Sequence, residues 1–247
     1  MVKSTWPFQE ICANLRNLRT KEQDVLYPSF FSLAPALQCH ETLAKPNYAR
    51  YFFNTDQFVG FVSMSSGGDT VTIDYELDGA GGNPISFKNC DDVKKTPATD
   101  VATHQYHLWR LMQINCKAVT MWHNAIAGTR SHWPAAFDHA FIAGLPATAI
   151  PDLGGSSLDG RKGLLKDAEP ALETSTIDSH STKAILSGDL AITYVLMGRG
   201  DFDHNGTEDI LLRLDWNITT AFGKGFSLLL LSKPSVSAAA EVVWRDG

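Results

Sequence analysis

In the run Gly200-Asp201-Phe202-Asp203-His204-Asn205-Gly206-Thr207-Glu208-Asp209, oxygen-bearing side chains recur at alternate positions. Asp201, Asp203 and Asn205 are followed by a glycine and then by a further carboxylate, Asp209. A hard cation such as Ca²⁺ needs about six to eight oxygens converging from a short loop. Alternate spacing turns successive ligands to one side, and Gly206 permits a sharp bend at little steric cost. The Thr207 carbonyl is a natural fifth protein ligand. The chemistry read from this stretch is therefore Ca²⁺ binding by Asp201, Asp203, Asn205, Thr207 and Asp209. An EF-hand would carry a bidentate Glu at its twelfth position, where this chain has Leu212, so the loop is of another kind. The alternative is an acidic hairpin turn held by Asx hydrogen bonds alone, which Asp, Asn and Gly also favour.

The segments 190–197 and 210–216 on either side are strongly apolar and read as strands. A strand-loop-strand unit with the pattern Gly-Asp-Phe-Asp-x-Asn-Gly-x-x-Asp-Ile-Leu-Leu resembles the calcium loop of FG-GAP (integrin β-propeller) and VCBS-type repeats. The resemblance covers about 20 residues. A propeller needs several such units, because each blade buries its faces against neighbours. The Gly-rich turns at 77–83 and 158–163 do not repeat the alternating oxygens. A single loop implies a structural clip on another architecture, not a full propeller.

The elements that must position the loop follow from apolar periodicity. A short helix is expected over 8–19, irregular chain over 27–48, and a central strand over 58–64. Residues 70–77 alternate between Val71, Ile73, Tyr75, Leu77 and polar partners, as a half-buried strand does. A hairpin at 66–69 joins these two strands, and 84–88 forms a third. Residues 104–126 fit both a helical and an alternating pattern, and their length favours a helix. Residues 151–183 are rich in Gly, Ser, Asp and Thr, which marks a surface excursion or linker. Strands are expected near 190–197, 210–217, 226–232 and 239–244. The fold class is thus α+β and β-rich, with antiparallel sheets and a few helices. Its divisions are a mixed α/β part at 1–150, the excursion at 151–183 and a β unit at 184–247.

At 247 residues, 44% hydrophobic and 19% charged, the composition is that of a globular protein able to bury a full core. The net charge of −6 argues against nucleic acid or an anionic membrane as partner, since both call for clustered Lys and Arg. No run approaches the ~18 apolar residues of a membrane span. Cys12, Cys39, Cys90 and Cys116 form no C-x-x-C pair, so zinc is poorly supported. If the chain is exported, pairing sequence neighbours, Cys12 with Cys39 and Cys90 with Cys116, is the simplest connectivity; four reduced, buried thiols are the cytosolic alternative. Calcium at millimolar levels occurs outside the cytoplasm, which favours export. The expected location is the periplasm, with the signal peptide absent from this sequence.

Five of the eight histidines, His104, His107, His123, His132 and His139, lie close together in sequence. His104 and His107 could share a helix face and a metal, yet no H-E-x-x-H pattern completes a site and Trp109, Trp122 and Trp133 point to aromatic packing instead. His204 reads as a solvent-facing spacer. Ser156 and Ser157 follow two glycines, but Leu158 breaks a G-x-S-x-G elbow. With no P-loop or dinucleotide fingerprint either, the chain reads as a protein-binding, non-enzymatic domain. The sequons at Asn205 and Asn217 are taken as chance.

The longer run from Met197 through Asp215, continued by Ala221-Phe222-Gly223-Lys224-Gly225-Phe226-Ser227-Leu228-Leu229-Leu230-Leu231-Ser232-Lys233, is similar to immunity proteins of type VI secretion phospholipase effectors. That resemblance implies a periplasmic inhibitor that binds a secreted phospholipase and blocks substrate access, with Ca²⁺ as a structural cofactor. Two other classes stand beside it. A calcium-dependent sugar-binding module or hydrolase would show an open coordination position in an acidic, aromatic-lined cleft. A cytosolic structural domain would bind no metal.

Overall fold

In the computed structural model the chain divides into two compact units, Met1–Leu43 and Ala44–Gly247. The structure describes residues 51–52, 63–64, 71–187 and 189–246, all in the second unit. The helix expected at 8–19, the irregular chain at 27–48, most of the strand at 58–64, the hairpin at 66–69 and the pair Cys12–Cys39 lie outside these residues. The divisions expected at 150 and 183 fall inside the second unit.

The described part is a β-rich α+β structure built on two antiparallel sheets, with no closed barrel or propeller among the described residues. In chain order the strands are β1 (Tyr51–Phe52), β2 (Ser63–Met64), β3 (Val71–Asp78), β4 (Pro84–Asn89), β5 (Glu173–Asp178), β6 (Ser181–Ile185), β7 (Leu190–Gly200), β8 (Asp209–Ile218), β9 (Lys224–Ser232) and β10 (Glu241–Asp246). The smaller sheet runs β2-β3-β4 and the larger β10-β9-β8-β7-β6-β5. The long strand β7 has β8 along one side, and along the other β6 gives way to β1, which pairs Phe52 with Gly198 and Tyr51 with Arg199.

The central strands read as near-continuous apolar runs because both faces of the sheet are covered. On one face, Val195, Met197, Leu211, Leu228 and Leu230 pack against helix α2 (Tyr106–Asn124) and the β3–β4 hairpin. The helix buries Trp109, Met112, Cys116 and Val119, three and four residues apart, which resolves the ambiguous 104–126 pattern in favour of helix. On the other face, Ile192, Tyr194, Leu196, Leu212, Leu214, Leu229 and Leu231 meet a layer contributed by 137–165, including Phe137, Ile142, Leu145 and Leu165. The short helix α3 (His139–Ala143) opens this layer, capped by the Asp138 carboxylate, which accepts from the Phe141 N–H at 3.0 Å.

Helix α1 (Cys90–Lys95) is stapled to α2 by a Cys90–Cys116 disulfide, the pairing expected for the oxidised protein. Closing a loop of 26 residues stabilises the fold by about 3.5 kcal/mol in the chain-entropy account.

The stretch 151–183 has two characters. Residues 152–156 are exposed, whereas Leu165 in helix α4 (Leu165–Ala168) is fully buried and its N–H donates to the Leu145 carbonyl at 2.7 Å. Arg161 reaches the Ala147 carbonyl at 2.7 Å and Glu169 at 2.6 Å. The second Glu169 oxygen accepts from the Ser187 N–H and hydroxyl, so this buried carboxylate ties the stretch to the turn before β7. Burial alone would raise the Glu169 pKa, but the Ser187 hydroxyl, Arg161 and the Ser187 N–H outweigh it and hold it below the usual range. A carboxyl depressed in this way stabilises the fold above its unfolded pKa and loses that contribution as pH falls through its folded pKa. Glu169→Gln should therefore cost about 2 kcal/mol at pH 7. In urea melts the gap to the unsubstituted protein should narrow steadily below about pH 4.5; a gap that stays constant down to pH 3 would contradict the assignment.

Candidate metal centre

The loop between β7 and β8 begins where the ladder stops, with Gly200 opposite Asp209. That register sets Asp201 beside Asp209, and the alternate spacing brings Asp203 over them. One carboxylate oxygen from each of Asp201, Asp203 and Asp209 lies within 4.8 Å of the others. Asp201 and Asp209 are buried, while Asp203 is exposed.

Most of the oxygens here already accept hydrogen bonds from the loop backbone. Asp201 takes the Asn205 N–H on Oδ1 at 3.0 Å and the Gly206 N–H on Oδ2 at 2.7 Å. Asp203 takes the Asn205 N–H at 3.1 Å and its side-chain amide at 2.8 Å. The Asn205 Oδ1 accepts from the Thr207 N–H at 2.7 Å, and Asp209 Oδ2 from the Phe202 N–H at 3.1 Å. These are the Asx bonds that an acidic turn makes by itself. Gly206 sits at φ +86°, the left-handed bend that its position demands.

One atom departs from that pattern. Asp209 Oδ1 is buried without a hydrogen-bond partner, while the Ser232 hydroxyl is near enough to hydrogen-bond the carboxyl group and favour its charged form. A self-contained turn has no use for a desolvated, unpaired carboxylate oxygen, which is costly to bury. Burial pushes the Asp209 carboxyl up to about 6; Ser232 and the Phe202 N–H work against the rise, while Asp203 and Asp201 add to it. A hard cation among the three carboxylates would give Oδ1 a partner and offset their mutual repulsion. The Thr207 carbonyl takes part in no hydrogen bond among the described residues, and Asn205 Oδ1 has a second lone pair. The donor set fits Ca²⁺ in charge and in atom type.

The loop rests on a strap formed by residues 124–133, which leaves the end of α2 and runs beneath it. Asp201 exchanges both backbone bonds with Ile126, at 3.0 and 2.9 Å. The Thr129 N–H donates to the Gly206 carbonyl and the Glu208 N–H to the Arg130 carbonyl, each at 2.9 Å. Arg130 Nε reaches Thr207 Oγ1 at 3.1 Å. Glu208 is buried: its carboxylate takes the Ser131 hydroxyl at 2.6 Å and lies 3.4 Å from Arg199, and its carbonyl accepts the Trp133 indole N–H at 2.9 Å. His204 is exposed, but its Nε2 lies 3.0 Å from the Asn124 carbonyl, so the residue is a tether to the helix end and more than a spacer.

Ser131, Trp133, Arg199 and Glu208 are the supporting residues that the sequence pattern did not single out. Their partners are separated by 75 to 77 residues in the strap contacts, a distance at which periodicity carries no signal. The other histidines form no metal cluster among the described residues. His104 lies 3.1 Å from Asp78 on the surface, and His139 bonds Thr174 at 2.8 Å. Trp133 stacks on Phe141 at 5.6 Å, as aromatic packing in this region led us to expect. Comparison with family models, with curated proteins and with solved structures finds no match for this chain.

Thermal melts supply the test. Calcium at ~100 times its dissociation constant should add about 2.7 kcal/mol, which for a chain of this size is a rise of about 5–10 °C over chelator. Asp203→Ala, at an exposed position, should fold normally and lose the difference. Identical melts with calcium and with chelator would leave the Asx turn as the whole account.

Proposed function

We propose that this protein is a non-enzymatic, calcium-stabilised binding protein of the periplasm, an inhibitor that neutralises a secreted phospholipase of a type VI secretion system by direct contact. The buried, unpartnered Asp209 oxygen at the centre of a convergent oxygen set carries the calcium part of this reading. Held there, the ion would fix the directions of β7 and β8 and lock the strap to both, a structural role that requires no reaction.

The inhibitor part is supported by the similarity of the run 197–233 to immunity proteins of phospholipase effectors. That run covers the end of β7 and all of β8 and β9, so it carries part of the large sheet as well as the loop. The Cys90–Cys116 bond favours an oxidising compartment, where calcium is also plentiful. The Asp201 and Asp203 carboxylates accept from N–H groups of their own loop, which favours a structural ion over a sugar-coordinating one. No helix among the described residues is long and apolar enough to cross a membrane.

A stable inhibitor complex would bury roughly 1,200–2,000 Å² in total. The net charge of −6 favours a partner with a basic face through electrostatic steering. Co-expression with a secreted phospholipase effector should give a complex that survives gel filtration. Lipid hydrolysis should fall linearly with added protein and stop near one equivalent. Turnover of a lipid or glycan by this protein alone, or the absence of any complex, would exclude the inhibitor and leave the calcium-dependent hydrolase or sugar binder.

A further inference from the structure

A cavity of about 540 Å³ opens between α1, α2 and the end of β10, a size at which small molecules are bound. The spacing of α2 builds one wall. Arg110, Gln113, Lys117 and Thr120 lie three, four and three residues apart, on one face of the helix. The Cys90–Cys116 disulfide and Val93 supply an apolar wall. Val93 and Cys116 are members of the buried core, so that wall is fixed, and the disulfide sets the spacing of the two helices. The Thr120 hydroxyl already donates to the Cys116 carbonyl at 2.9 Å.

Charge in the cavity runs against that of the chain. Three cations, Lys94, Arg110 and Lys117, line it with two carboxylates, Asp91 and Asp246, a balance of +1 in a protein whose net charge is −6. Asp246 shows how these cations take a carboxylate. It accepts from Lys117 Nζ at 2.7 Å and lies 3.3 Å from Arg110 Nη2. Burial opposes its ionisation, but Lys117 and Arg110 hold its carboxyl below the usual range. The Arg110 and Asp246 side chains are 25% and 24% exposed, so water screens them only in part. Arg110 is not saturated. Its contacts to Asp246 and Gln113, at 3.3 and 3.4 Å, are long for bonds from a guanidinium, and its other donors meet no acceptor among the described residues. Lys94 has no hydrogen bond or ion pair among the described residues.

We infer that this cavity binds a small organic monocarboxylate, its apolar body against Val93 and the disulfide and its carboxylate on Arg110 and Lys94. Three features select that class. The local balance of +1 matches a monoanion, the apolar wall rewards a ligand with a hydrocarbon body, and a guanidinium fork pairs with a planar carboxylate. A polyanion would meet Asp91 and Asp246 as well as the cations, and the field of an acidic protein opposes it. None of the lining residues belongs to the acidic loop, to its strap or to the run 197–233 on which the inhibitor reading rests, so this site and that reading stand or fall separately.

The test is calorimetric titration of the full, oxidised protein with hexanoate at low salt, with acetate, hexanol, hexylammonium and inorganic phosphate as comparisons. Hexanoate should bind at one equivalent with a dissociation constant below about 1 mM, and its affinity should fall as salt is added. Acetate lacks the body and hexanol the charge, so each should bind at least about tenfold more weakly. Arg110→Gln should weaken hexanoate by at least about tenfold. Lys94→Gln, which removes no contact of the fold, should weaken it by about threefold. Asp246→Asn should tighten binding, because a competing carboxylate is gone, and a merely structural role for Asp246 predicts no such gain. If Arg110→Gln does not fold, the other two variants decide. Failure to saturate below about 10 mM overturns the inference. So does hexanol or hexylammonium bound as tightly as hexanoate, or an affinity that Lys94→Gln and Asp246→Asn leave unmoved. Phosphate bound more tightly than hexanoate would assign the cavity to a bare oxyanion and likewise overturn the carboxylate.

Discussion

Burial of the large sheet on both faces governs this structure. Strands β7, β8 and β9 lie between α2 with the small sheet on one side and the 137–165 layer on the other. Antiparallel sheets commonly leave one face to water and alternate polar with apolar residues. Here Leu228, Leu229, Leu230 and Leu231 are consecutive and all buried, so alternate leucines feed opposite cores. Such a sheet has little room along its centre for groups that must meet solvent or ligand. Polar chemistry is displaced to the strand ends, where the acidic loop closes one of them.

Several charged and polar side chains that enter the interior are paired there, although Asn115 Nδ2 and Ser181 Oγ have no partner among the described residues. Arg213 is buried and is held by Asp215 at 2.7 and 2.8 Å and by the Asn115 side chain of α2 at 2.7 Å. Tyr194, buried under the opposite layer, gives its hydroxyl to the Ala149 carbonyl at 2.9 Å, and burial pushes its pKa well above the ordinary value. Glu169 and Glu208 each hold a cation and a serine hydroxyl. Against this pattern, Asp209 Oδ1 is the buried carboxylate oxygen that lacks a donor among the described residues. A charge-bearing atom in that state has a far higher desolvation cost than an unpaired hydroxyl.

The sequence exposed the elements whose signal is local. The apolar runs of β7, β8 and β9, the alternation of Ile73, Tyr75 and Leu77, and the buried stripe of α2 all follow from spacing within one segment. The oxygen positions of the loop were legible for the same reason: Asp201, Asp203 and Asp209 converge because a hairpin forces them together. What escaped is the support from elsewhere. Nothing in the string Thr129-Arg130-Ser131-His132-Trp133 announces that it will run beneath a loop far along the chain, since hydrogen-bond complementarity between distant backbones leaves no period to detect. Leu165 and Glu169 were obscured in another way. They sit in a Gly- and Ser-rich stretch whose composition describes its exposed turns and hides the two residues that anchor it.

The strap also orders events in time. Gly206 and Thr129, or Glu208 and Arg130, can meet only after the 137–165 layer, the β5–β6 hairpin and β7 between them have been gathered, and closing long segments is entropically slow. The oxygen cage therefore assumes its final form late, and an excised loop peptide would lack the floor that shapes it. An ion bound to so late a structure acts after the folding barrier. It would leave the rate of folding nearly unchanged and retard the reverse reaction, so that calcium confers persistence on the folded chain more than speed in reaching it.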